Sequence, residues 1–151
     1  MLPWIWRGQA ISSVCSPPQN GLPDRGAVLL VHGFGASWRH WRHTIPALSA
    51  AGFRVHAIDL LGFGASAKPP SHLSGDAPLE GAVTYGFDLW AEQVVDYCSA
   101  WIGPGPVQLV GNSIGGVVAL NAARMLQEQG RPPAQVVLID CAQRALDGKR
   151  L

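Results

Sequence analysis

Ser113 is the residue of this chain best placed to act as a nucleophile. It lies between two glycines in Gly111-Asn112-Ser113-Ile114-Gly115, after the apolar run VQLV and before GVVALNAARMLQ. That is the pattern G-x-S-x-G at a strand, turn and helix junction. The chemistry it permits is acyl transfer. A serine on a tight turn holds its hydroxyl clear of the sheet, and the following helix aims free N–H groups and a positive dipole end at an oxyanion formed beside it. Side chains two residues before and after the serine would collide across such a turn, which accounts for Gly111 and Gly115. Gly116 and Ala119 let the helix lie close to its neighbours. A glycine-rich turn with an incidental serine has the same local pattern, so the motif needs support from elsewhere in the chain.

Two further motifs supply it. His32-Gly33-Phe34-Gly35 follows the apolar run ending LLV, and Asp59-Leu60-Leu61-Gly62-Phe63-Gly64-Ala65-Ser66 follows FRVHAI. The first resembles the HG-type oxyanion loop of the α/β-hydrolase fold family, and the second resembles that family's D-x-x-G-x-G-x-S loop. In their order along the chain, Ala27 to Asp140, the three motifs are similar to the serine branch of the family. The resemblance implies Ser113 as nucleophile and the backbone N–H groups of Phe34 and Ile114 as the oxyanion hole. It implies supporting roles for His32, Gly33, Gly35, Gly111, Asn112 and Gly115, with His32 bracing the loop rather than acting as a base. It also argues against dehalogenases and epoxide hydrolases, which in this family use an aspartate where Ser113 stands. A dinucleotide-binding reading of Gly33-Phe34-Gly35 and Asp59 fails at Trp38, where close helix–strand packing needs Gly or Ala.

The elements that must hold these motifs can be read from hydrophobic spacing. Residues 4–7 and 9–14 form a hairpin about Gly8. Ala27–Val31, Phe53–Ile58, Val107–Val110 and Val136–Ile139 are continuous apolar runs, as in strands buried on both faces of a parallel sheet. Helices are expected over Trp38–Ala51 with Pro46 interrupting, Tyr85–Ile102, and Ser113–Gln129, and residues 60–84 read as loop. The alternation predicts an α/β architecture: one mostly parallel sheet, helices on both faces, and ligands near the carboxyl ends of the strands. The cluster Trp38-Arg39-His40-Trp41-Arg42-His43 reads as a helical turn with packed tryptophans and solvated polar residues, not as a nucleic-acid surface.

Composition bounds the partners. The chain has 151 residues, 48% hydrophobic and 14% charged, with eleven Lys and Arg against ten Asp and Glu, for a net charge of +1. That is one domain's worth of chain and too hydrophobic to be disordered. A near-neutral balance gives no general pull toward nucleic acid or anionic membrane. Cys15, Cys98 and Cys141 are odd in number and widely spaced, so neither a disulfide framework nor a zinc site fits, and no metal or cofactor is implied. No apolar run reaches transmembrane length, and the start lacks the features of a signal peptide. A cytoplasmic location is expected, or a plastid one associated with thylakoids if the closer resemblance below holds.

A serine nucleophile needs a base, which in this family follows it in the chain order Ser, acid, His. His32, His40, His43, His56 and His72 all precede Ser113. Asp140 reads as a polar strand-end residue more than as the triad acid, and Asp147 as surface. The chain is therefore expected to be the N-terminal part of a longer hydrolase domain, without its cap and C-terminal strands. On its own it should be inactive, with Val136–Ile139 an open, association-prone sheet edge. Tyr85–Val94 and the run GNSIGG resemble the cyanobacterial and plastid group of pheophytinases and chlorophyll dephytylases. That resemblance implies an apolar small-molecule ester, such as a long-chain phytyl ester, cleaved through an acyl-enzyme. Generic carboxylesterase, thioesterase and C–C hydrolase activities fit the motifs as well, and the alternative is a catalytically inactive binding protein of the same fold.

Overall fold

A two-residue turn sets the first element. In a computed structural model, which describes residues 3–72 and 79–141, Arg7 and Gly8 both take positive φ (50° and 77°). This suits a tight hairpin turn and pairs β1 (Trp4–Trp6) antiparallel with β2 (Gln9–Ile11). The spacing predicts a second arm running to residue 14, but the arm ends at Ile11. The reason lies at Ser12, whose N–H donates to Ser66 Oγ (3.0 Å) and whose carbonyl accepts from Asp59 N–H (2.8 Å). Beyond it, β3 (Ser13–Ser16) pairs antiparallel with β5 (Arg54–Ile58) in a different sheet.

That main sheet has the order β3-β5-β4-β6-β7, where β4 is Ala27–Val31, β6 is Val107–Asn112 and β7 is Gln135–Ile139. The last four strands of that order run parallel, and β3 is the antiparallel edge. Every residue of β4 is buried, because successive side chains enter opposite covered faces. Leu29 and Val31, with Ile58 and Leu109, pack beneath α2 (Phe87–Tyr97) and α3 (Ile114–Glu128). Val28 and Leu30, with Val55 and Ala57, pack against Trp41, Ile45 and Leu48 from the 3₁₀ turn Trp38–Trp41 and α1 (Thr44–Ala50). Burial is worth roughly 1.5–3 kcal/mol for each large apolar side chain, so β4 is the strand on which both layers depend.

Three boundaries differ from the spacing. The helix expected over Trp38–Ala51 breaks at Arg42 and His43, not at Pro46, which sits in the first turn of α1, where a helix makes no use of the missing N–H. Within the 3₁₀ turn, Trp41 is buried while Arg39 and His40 are exposed. The segment read as one helix to Ile102 changes to a π-helical turn at Cys98–Ile102, ended by Gly103 at φ 83°. Finally, α3 begins at Ile114, leaving Ser113 outside the helix. Between Leu60 and Thr84 the described residues form a loop with one isolated bridge, Ser71 to Val83. Among the described residues β7 pairs with β6 alone, and Ile139 is exposed. Asp147 lies outside the described residues. No helix among them is long and apolar enough to cross a membrane, and Cys15, Cys98 and Cys141 are free thiols.

Candidate active site

Ser113 occupies the sharp corner between β6 and α3 with φ 55° and ψ −124°, a conformation that costs a non-glycine residue about 1–3 kcal/mol. Its surroundings hold it there. Ser113 N–H donates to the Ile139 carbonyl (3.1 Å), and Gly116 N–H donates to the Ser113 carbonyl (3.0 Å). A side chain on Gly111 would strike the backbone of Gly115 and lie 2.6 Å from Gly116 Cα, and one on Gly115 would strike the carbonyl oxygens of Val31 and His32. At Gly116 an added Cβ would lie 2.7 Å from Cys141 Sγ. The first turn of α3 is thus seated directly on the end of β4.

The same seating brings the Gly33 loop onto the serine. A Cβ on Gly33 would lie 3.1 Å from Ser113 Cβ and 3.3 Å from the Asn112 carbonyl oxygen. Ile114 is the first residue of α3, where a helix leaves N–H groups without intrahelical partners. Phe34 N–H, in the neighbouring loop, donates to no acceptor among the described residues. Phe34 and Ile114 thus carry backbone N–H groups without acceptors among the described residues, on two segments that meet at Gly33 and Ser113; free donors of this kind can receive a developing oxyanion.

Both loops are braced from behind. His32 is fully buried; its Nε2 accepts from Leu60 N–H (3.0 Å), which makes Nδ1 the donor to the Gly33 carbonyl (2.7 Å). Burial, partly opposed by the Gly33 carbonyl and Asp59, lowers its pKa and keeps it neutral. With both nitrogens engaged, His32 cannot take the serine's proton. Asp59, also buried, joins the same two loops: Oδ1 accepts from Trp38 N–H (2.6 Å) and Oδ2 from Ala65 N–H (2.9 Å). Its carbonyl accepts from Ser66 Oγ–H (2.7 Å) and Gln93 Nε2–H (3.2 Å), while Gln93 Oε1 accepts from Leu61 N–H (2.9 Å). Gln93 falls inside the Tyr85–Val94 run, but a single glutamine on a helical face carries no sequence signal of such a role.

A series of aromatic rings runs from the Gly33 loop to α2. Phe34, 77% exposed, stands edge-on to Phe63 (5.4 Å), which meets Trp90 (5.5 Å). Tyr85 and Phe87 flank Trp90 at 6.3 and 6.2 Å. Asn112 Nδ2–H donates to His40 Nε2 (3.3 Å). No histidine among the described residues hydrogen-bonds to Ser113 Oγ. Asp140 is exposed at the end of β7 with φ 45°. No three His, Cys, Asp or Glu side chains among the described residues gather as metal ligands.

Comparison with known proteins agrees with this architecture. A family model described as "Alpha/beta hydrolase family" matches residues 28–151. The chain is 34% identical over 110 residues to bifunctional epoxide hydrolase 2 of Sus scrofa, covering 73% of this chain and 18% of that protein. It is 38% identical over 96 residues to pimeloyl-[acyl-carrier protein] methyl ester esterase of Aeromonas hydrophila, covering 64% and 31%. Among solved structures, a probable hydrolytic enzyme from Pseudomonas aeruginosa PAO1 superposes with a TM-score of 0.73 at 25% identity, covering 93% of this chain and 40% of that one. The chain thus spans less than a third of the length of these two curated relatives.

Proposed function

Since the chain belongs to the alpha/beta hydrolase family, we propose that it carries the nucleophile and oxyanion hole of a serine hydrolase acting on carboxylic esters. One observation carries this reading: Ser113, held at φ 55° between a loop and a helix start that each present a free backbone N–H. Ser113 Oγ attacks the ester carbonyl carbon, and Phe34 and Ile114 N–H receive the resulting oxyanion. Collapse expels the alcohol and leaves an acyl-serine, which water hydrolyses. Serine rather than aspartate at this position favours esters over epoxides on chemical grounds. A serine that opened an epoxide would form an ether, which water does not release, whereas an acyl-serine is itself a hydrolysable ester.

The base and acid of the triad belong, in this reading, to a longer protein of which these residues are the N-terminal part, with a cap and further strands elsewhere. The 151 residues alone then turn over no ester, because neither nitrogen of His32 is free and no other histidine among the described residues bonds to Ser113. The ring series Phe34, Phe63, Trp90 supports an apolar substrate, and a long-chain phytyl-type ester is the finer form suggested by Tyr85–Val94 and the GNSIGG run. In the full-length protein a fluorophosphonate should label Ser113, and Ser113→Ala should abolish labelling and lower turnover on the order of 10⁶-fold. Full turnover by Ser113→Ala would overturn the reading.

A further inference from the structure

Resting on that serine-hydrolase reading, we infer that His40 is a positioning residue for the reaction, acting through Asn112 to fix the spacing of the two oxyanion donors. Phe34 N–H and Ile114 N–H reside on segments that are far apart in the chain, and a single oxygen must meet both. Behind them the segments are joined through β4 and β6, which lie side by side in the sheet. In front, the hydrogen bond from Asn112 Nδ2–H to His40 Nε2 (3.3 Å) crosses between them. Asn112 immediately precedes Ser113, and its backbone is paired opposite Ile139 in β7.

His40 is itself well placed to hold that bond. Its ring stands edge-on to buried Trp41 (4.9 Å, 84°). The 3₁₀ turn that carries it is capped by Ser37 Oγ, which accepts from Arg39 N–H. The turn is also pinned to Asp59 by Trp38 N–H (2.6 Å). An amide nitrogen can only donate, so His40 accepts through a neutral Nε2 and carries its proton on Nδ1. The loop from Gly33 to His40 is therefore closed onto the elbow at both ends, by the Gly33–Ser113 contact and by His40–Asn112. Loss of the second tie lets the donors drift apart without unfolding anything, since His40 is exposed.

The test is steady-state hydrolysis of a p-nitrophenyl ester by the full-length protein. His40→Ala should lower kcat about two- to tenfold, the range one net hydrogen bond supplies, with KM and the thermal midpoint unchanged. His40→Gln, whose side-chain oxygen can accept from Asn112, should restore most of the rate. Asn112→Ala combined with His40→Ala should be no slower than the slower single variant, because both remove one bond. A parental kcat in His40→Ala, or effects that multiply in the double variant, would overturn the inference while leaving the serine reading intact. Parental turnover that survives Ser113→Ala would overturn the serine reading and this inference with it.

Discussion

Replacing Ser113 by glycine should make the protein more stable than replacing it by alanine, although both variants lack the serine hydroxyl. At φ 55° and ψ −124° any side chain with a Cβ costs about 1–3 kcal/mol, and glycine does not. Against this, glycine's freer unfolded chain costs about 0.4–1 kcal/mol relative to alanine. No hydrogen bond of Ser113 Oγ within the described protein is lost in either variant, so the difference of the two terms decides the outcome. The midpoint of those ranges leaves Ser113→Gly ahead by about 1 kcal/mol. With a urea slope near 2 kcal/mol per molar, typical of small domains, its unfolding midpoint should lie about 0.5 M higher. Urea titrations of Ser113→Ala and Ser113→Gly, followed by tryptophan fluorescence, measure this directly. A glycine variant less stable than the alanine one would show that the corner is not strained.

Two other perturbations separate backbone from side chain and one protonation state from another. Phe34→Pro deletes the N–H assigned to the oxyanion hole and should lower kcat about 10²–10³-fold. Phe34→Ala keeps the N–H and should act chiefly on KM for apolar esters; equal rates in the two variants would place the hole elsewhere. Burial, helped by Arg54, lowers the His56 pKa to about 4 from 6.5, while Tyr97 stays bonded to its Nδ1 (2.9 Å). Unfolded chains then take up the proton first as pH falls, so stability should be full above pH 6.5 and decline toward pH 4. Urea unfolding across that range should show a shallower decline in His56→Gln, and an unchanged slope would exclude His56 as its source.

What could be read from the sequence was what local spacing dictates. The run Ala27–Val31 announces a two-faced strand, and Gly111, Ser113 and Gly115 announce a corner, because in both cases the constraint acts within five residues. Bonds between distant segments leave no such trace. Asn112 meets His40 across 72 positions and Gln93 meets Asp59 across 34, and nothing in either neighbourhood marks the partner. Boundaries slipped for the same reason. The hairpin stops at Ile11 because Ser12 is claimed by Asp59 and Ser66, and the spacing of 9–14 cannot show that claim. Pro46 looked like a break because proline opposes helix interiors, yet in a first turn it opposes nothing.

The order of strands in the main sheet also has a consequence for how the chain is made. β4 lies between β5 and β6, but β5 ends at residue 58 and β6 begins only at residue 107, a difference of 49 residues. At the ribosome, where chains grow at about 5–20 residues per second, this is an interval of roughly 2–10 s. Throughout it one whole flank of AVLLV, the most apolar segment of the sheet, has its ladder unfilled. The nascent protein is therefore most vulnerable at its future centre rather than at its ends. A holdase that masks residues 27–31 until Val107 emerges would protect it at that stage.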